Sequence, residues 1–193
     1  QDEAPNLRLD IMTPSDVDFH DVERGKVDLV INRFDNLPQS FHQIHLWEDG
    51  FSCVLNSKNP VANNWSLDTY LKSKHVWVSK TGMGVGVGMS PNDVQRLGWV
   101  DEALAKIGMT REITVFTRHY QAALMLAEQK HLIVTIPSKA VRSLSQDPNI
   151  VILDPPFYIP RMHLKMVWSP LLHHEPGHRW LRKTIKHVSE EIK

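Results

Sequence analysis

The sequence predicts an α/β fold. Three observations carry this: short β-branched runs recur along the chain, helix-start signals fall between them, and 193 residues with 41% hydrophobic side chains can bury a core. That core can be one large domain or two small lobes.

The elements follow in order. Asn6–Met12 (NLRLDIM) alternates apolar side chains and reads as a strand. Lys26–Ile31 (KVDLVI), HVWVS ending at Ser79, and His131–Pro137 (HLIVTIP) are short β-branched runs closed by polar residues or proline. Runs this uniformly apolar suit strands covered on both faces, as in a parallel sheet. Ser90-Pro91-Asn92-Asp93 combines an N-cap serine, a proline at the first helical position and an acid at the third. Val94, Leu97, Val100, Leu104 and Ile107 then recur at helical spacing up to Gly108. Thr117 is placed to cap a second helix with Tyr120, Ala123, Leu124 and Ala127 on one face. A terminal helix begins near Pro176 and carries Leu181, Ile185, Val188 and Ile192 as its apolar stripe.

Composition narrows the function. Lys+Arg and Asp+Glu both number 22, so no chain-wide basic field is available to hold a nucleic acid backbone by counterion release. One cysteine, Cys53, excludes an intrachain disulfide and fits a reducing compartment. There is no signal-like apolar run at the N-terminus, and no stretch approaches the roughly 18 apolar residues of a membrane span. The expectation is a cytoplasmic protein that does not contact membranes.

Two motifs invite chemistry and fail on geometry. In SKTGMGVGVGMSPND the glycines stand at every second position from Gly82 to Gly88, whereas a dinucleotide fingerprint needs them first, third and sixth. Counting from Gly82 the sixth residue is Val87, and from Gly84 it is Met89. A P-loop needs Gly-Lys-Ser/Thr at its end, and no lysine follows the run until Lys106. A flexible strand-to-helix connection accounts for the run. HEPGH, His174 to His178, spells the zinc-protease pattern, but that site needs both histidines on one helical face. Pro176-Gly177 interrupts such a helix and fits better as the start of the terminal one. No metal or cofactor is expected. His173 and His174 read as a solvated turn, and Cys53, within FSCVLN, reads as a small core side chain. No nucleophile elbow or acid/base constellation is present, so no enzyme is expected.

The order of LRLDIM, ERGKVDLVI, IHLWEDGFSCVLNSKNPVA, SLDTYL, REITVFTRHYQAALMLAEQKHLIVTIPSKAV and PGHRWLRKTI resembles the effector-binding domain of LysR-type transcriptional regulators over nearly the whole chain. The TRHY…LIVTIP section is most similar to the branch sensing aromatic acids or flavonoid-like compounds. The resemblance implies two Rossmann-like lobes like those of type 2 periplasmic binding proteins, with a small effector in the cleft between them. Lobe I would comprise residues 1–74 and 168–193, and lobe II residues 75–167. The winged helix-turn-helix that family members carry is absent from this stretch, as are the family's first strand and most of its first helix. DNA would be contacted only through that missing part, and the full-length protein would be a homo-oligomer. A freestanding solute-binding protein of the same fold is the competing reading.

Residues that follow strand ends and are too polar or oddly placed for core form the expected effector site. These are Thr13, Arg33, Phe34, Ser79, Thr117, Arg118, His119 and Tyr120. Arg118 can pair a carboxylate bidentately, and His119 can donate or accept a hydrogen bond. Phe34 and Tyr120 can face an aromatic ring. The competing reading makes Thr13, Ser79 and Thr117 helix caps and Phe34 or Tyr120 core.

Overall fold

The computed structural model describes residues 4–12, 19–34, 37–78, 98–117 and 119–191. Thr13, Ser79, Arg118, the glycine run and the helix start at Ser90 lie outside these residues. The chain divides into two compact units. Unit 1 holds the described residues up to His45 together with those from Lys165 on, and unit 2 holds those from Leu46 to Leu164.

Unit 2 is built on a five-stranded sheet. In chain order its strands are β3 (Phe51–Asn56), β4 (Lys74–Val78), β5 (Glu112–Thr117), β6 (Leu132–Pro137) and β7 (Ile150–Leu153). Their order across the sheet is β5-β4-β6-β3-β7. β4 runs parallel to both β5 and β6, while β3 is antiparallel to β6 and β7. The sheet buries both faces, which is why β3 and β6 are continuous apolar runs. Val54, Val76, Val134 and Ile136 pack on one face with Ala123 and Ala127 of the helix Tyr120–Ala127. Cys53, Leu55 and Ile133 point to the other face, against Tyr70 and Leu104. Tyr70 lies on α2 (Leu67–Leu71) and Leu104 on α3 (Trp99–Lys106); Tyr120–Ala127 is α4. Helices on both faces of this mixed sheet make the unit α/β, the class that the sequence predicts.

Local signals explain the ends. Ser66 caps α2 through a reciprocal capping box with Thr69. α3 stops where Gly108, at φ 71, turns left-handed and Met109 N–H reaches back to the Leu104 carbonyl at 2.9 Å. α4 differs from expectation. Its N-cap is His119, and Thr117 instead ends β5.

In unit 1 a short helix, α1 (Phe19–Glu23), closes on Gly25 at φ 69. β1 (Val30–Asn32) follows and pairs antiparallel with β8 (Met162–Trp168). β2 (His42–Asp49) lies on the other side of β8, giving the order β1-β8-β2. Both β2 and β8 pass from one unit into the other along their length. The core gathers Val22, Phe41 and Val167, with Phe19, Val30 and Phe34 around them. α5 (Pro176–Glu191) starts at the expected proline. Residues 6–12, expected as a strand, enter none of the sheets.

Residues 46–74 group with unit 2, where β3 takes its hydrogen bonds from β6 and β7.

Candidate functional site

The carboxyl ends of β4, β5 and β6 fall at one edge of the unit 2 sheet, since these three strands run the same way. From β4 the chain moves outward to β5. From β6 it moves the other way, toward β7. The point between β4 and β6 is therefore a topological switch point, where open α/β sheets place ligands.

A narrow crevice opens there. Trp77 and Val78 line it from β4, Ile136 and Pro137 from β6, Gly98 and Trp99 from the start of α3, and Tyr120 from the start of α4. Its volume is about 20 Å³, room for a single water, so any larger ligand would sit over the mouth. The two helices that begin at the crevice, with N-caps Gly98 and His119, receive no side-chain capping hydrogen bond. Their first-turn N–H groups and positive dipole ends suit an anion. Phe51 tilts against Trp99 with ring centroids 5.8 Å apart, and Trp77 against Phe116 at 5.5 Å, so the rim is aromatic.

Beneath the crevice lies a buried polar network. Arg111, with a side chain only 2% exposed, donates from Nε and Nη2 to the two carboxylate oxygens of Asp101, both at 2.8 Å. Its Nη1 lies 3.5 Å from the Tyr70 hydroxyl, which bonds Thr135 Oγ1 at 2.9 Å. Thr135 also meets Cys53 Sγ at 3.4 Å. Burial pulls the guanidinium pKa down, but Tyr70 and Asp101 outweigh it and hold Arg111 above its ordinary value. Burial drives the Cys53 thiol up to about 12, which makes it an inert core side chain, as read from the sequence. His75 donates from Nε2 to the Tyr70 carbonyl at 2.8 Å, and its Nδ1 meets no partner among the described residues. Burial, then repulsion from Arg111, lowers its pKa to about 3, so the ring is neutral. The network fixes α3 to the start of β5 and so sets where the helix N-terminus points.

The expected site residues separate. Thr117, His119 and Tyr120 come together at the ends of β5 and the start of α4. Thr117 Oγ1 accepts the His119 N–H at 3.2 Å, His119 is exposed, and Tyr120 packs partly into the core while lining the crevice. Arg33 and Phe34 lie in unit 1. Phe34 packs 6.4 Å from Phe19 as part of that core, and the Arg33 N–H donates to Asn32 Oδ1 at 2.8 Å. Thr13, Ser79 and Arg118 fall outside the described residues. Sequence reading missed Trp77, Gly98 and Trp99. An aromatic one residue before a strand end, and one directly after a glycine at a helix start, are the signals that mark them.

The HEPGH histidine His178 is committed to structure. Its Nε2 donates to the Asp28 carbonyl at 2.9 Å and its Nδ1 accepts from Arg182. His173 is not simply solvated. It stacks on His42 at 3.8 Å and on Trp168 at 6.1 Å, while Arg182 lies 4.5 Å over the Trp168 ring and donates to the Leu172 and His173 carbonyls.

Comparison with known proteins agrees over almost the full length. Residues 1–190 match the LysR substrate binding domain. The regulator SyrM 1 of Sinorhizobium fredii is 26% identical over 187 residues, 96% of this chain and 51% of that protein. The regulatory domain of MexT, a transcriptional activator in Pseudomonas aeruginosa, superimposes with a TM-score of 0.69 at 23% identity, over 87% of this chain and 76% of that one. The effector binding domain of QuiR, solved with shikimate, superimposes with a TM-score of 0.69 at 16% identity, over 93% of this chain and 78% of that one. The chain thus has the α/β fold of these regulatory domains, similar to that of type 2 periplasmic binding proteins. It spans about half the length of the curated relatives it matches.

Proposed function

The chain belongs to the LysR substrate binding domain family, and on that premise we propose that it senses a small anionic, aromatic effector and passes the signal to a DNA-binding part outside these residues. The observation that carries the reading is the convergence of three parallel strand ends and two uncapped helix starts on one aromatic crevice. An anion placed at those helix starts gains roughly 0.3–1 kcal/mol from each exposed dipole, more where sheltered. Trp77, Trp99 and Tyr120 offer faces to a ring. The carboxylate ligand named in the QuiR complex supports the same chemistry. In the same reading Arg118, another of the expected contacts, would pair a carboxylate bidentately.

Ligand binding at the crevice would bias a two-state element, and that is how sensing would reach an attached domain. DNA recognition would rest on the attached part. Half or more of protein–DNA hydrogen bonds go to phosphate and sugar, and this chain has no net charge to favour them. Homo-oligomerisation and a cytoplasmic setting belong to the same reading; no helix among the described residues is long and apolar enough to cross a membrane.

The test is calorimetric titration with a panel of aromatic carboxylates and phenols against wild type, His119→Ala and Tyr120→Ala. The reading expects a binder whose Kd rises at least about fivefold, roughly 1 kcal/mol, in one of the variants. Binding unchanged in both would move the site elsewhere. Sequence-specific retention of operator DNA by these 193 residues at moderate salt would contradict the division of labour.

A further inference from the structure

Two charged side chains line the unit 2 crevice, Asp101 and Arg111, and they are only 7% and 2% exposed. They arrive from opposite ends of the sheet. Asp101 stands in the first turn of α3, three positions past the Gly98 N-cap, and of that turn's two acids it is the one that lines the crevice. Arg111 immediately precedes β5, whose carboxyl end is the one at the crevice, so its side chain runs back along the sheet to reach Asp101.

An acid in the first turn of a helix is ordinarily favourable, because it offsets the positive end of the dipole. Where a ligand is to sit at the helix start, the same charge is an obstacle. A bare carboxylate beneath the mouth would repel an anionic ligand, and burial would strengthen the repulsion because little water screens it. Asp101 is not bare. Arg111 Nε and Nη2 hold its two carboxylate oxygens, each at 2.8 Å, so the charge is cancelled where it arises. Tyr70, bonded in turn to Thr135, stands 3.5 Å from the third guanidinium nitrogen and keeps the fork in place.

We propose that Arg111 determines the charge specificity of the crevice: by neutralising Asp101 it keeps the α3 start selective for an anion, and without it the same crevice favours an uncharged ligand. This role rests on the crevice being the effector site, and it adds the residue that decides which charge the effector carries. A buried ion pair can act here in two ways. A pair that only holds α3 to β5 would, when broken, weaken every ligand alike. A pair that sets the field at the mouth would move charged and uncharged ligands apart.

Benzoate and benzamide share a ring and differ in charge, so the ratio of their dissociation constants, measured by calorimetry on this chain, reads that field. The wild type should favour benzoate at least about tenfold. Arg111→Gln should lower the preference at least about tenfold, through benzoate alone. Arg111→Lys, which keeps the charge without the fork, should retain most of it. Asp101→Asn combined with Arg111→Gln removes both charges together and should return the preference to within about threefold of wild type. Equal affinity of the wild type for the two probes overturns the proposal while leaving the crevice as a site for a ring. A preference that stays constant in Arg111→Gln while both affinities fall also overturns it, because the pair is then structural only. If Arg111→Gln does not fold, Asp101→Asn decides: a stronger benzoate preference, from Arg111 left unbalanced, supports the proposal, and a weaker or equal one refutes it. If neither single variant folds, the double variant decides, by a preference kept or lost. Binding of neither probe to the wild type refutes the proposal together with the effector site it rests on.

Discussion

Each unit contains a mostly buried arginine, and the two are held in opposite ways. In unit 2 Arg111 has a carboxylate at bonding distance on two of its nitrogens and a hydroxyl near the third, all within the core. In unit 1 Arg182 has no acidic partner among its described contacts. Backbone carbonyls, the His178 imidazole and the face of Trp168 hold it. Burial and the neighbouring Arg179 lower its pKa, whereas Arg111 is raised. The contrast teaches how each unit tolerates damage. A desolvated ion pair is brittle, since losing either partner strands a charge in the core. A layered stack of rings over a cation fails in steps.

The largest effect expected from this contrast is that of Asp101→Ala, which leaves Arg111 uncompensated. Denaturant unfolding should register a loss of about 3–5 kcal/mol. The pair Asp101→Leu with Arg111→Met should restore much of it, and no recovery in the double variant would mean the contact itself, not the stranded charge, matters.

Acidification should come next and act on unit 2. His75 is neutral when folded, with its pKa lowered to about 3, and ordinary near 6.5 when unfolded. The unfolded state therefore binds the proton first. Stability is complete above about pH 6.5 and falls by up to roughly 1.4 kcal/mol per pH unit below it, until the folded pKa is reached. Melting curves recorded between pH 7 and 4 should show this slope, and His75→Gln should flatten it. A slope unchanged in the variant would assign the acid sensitivity elsewhere; His173, also lowered in pKa but at the surface, is the other candidate, through burial and its neighbour His42.

Arg182→Ala should destabilise unit 1 by about 2 kcal/mol, the loss of charged hydrogen bonds to two carbonyls and of the ring contact. Lysine should rescue it poorly, because it lacks the planar fork. The smallest change is Tyr70→Phe, at about 1 kcal/mol, since the packing stays and only the hydroxyl bridge between Thr135 and Arg111 goes. A Tyr70→Phe cost equal to that of Asp101→Ala would show the network to act as one unit.

Unit 2 was the more legible half in sequence. Its strands β4 and β6 and the stop at Gly108 follow from β-branched runs and a glycine after the last apolar position, signals that act over a few residues. Unit 1 was less so, because NLRLDIM needs a partner strand to become one, and alternation alone cannot report whether the partner is there. Which strands β3 joins is not legible locally for a related reason. The register of β3 against β6 and β7 depends on residues some eighty to a hundred positions away. At the candidate site, the grouping of Thr117, His119 and Tyr120 was legible because a strand end followed by a helix start is a local pattern. Trp77, Trp99 and the Arg111–Asp101 pair reach the same place only through tertiary packing. Phe34 illustrates the converse, an aromatic after a strand that packs into its own unit's core.

The most direct test of the account is to map where an aromatic carboxylate binds, by following backbone amide shifts in a labelled sample during titration. The account predicts that the largest changes fall at the carboxyl ends of β4, β5 and β6 and the starts of α3 and α4, at Val78, Thr117, His119, Tyr120 and Trp99. Saturable changes confined to residues 7–12, 29–31 and the facing side of α5, with the unit 2 strand ends silent, would contradict it.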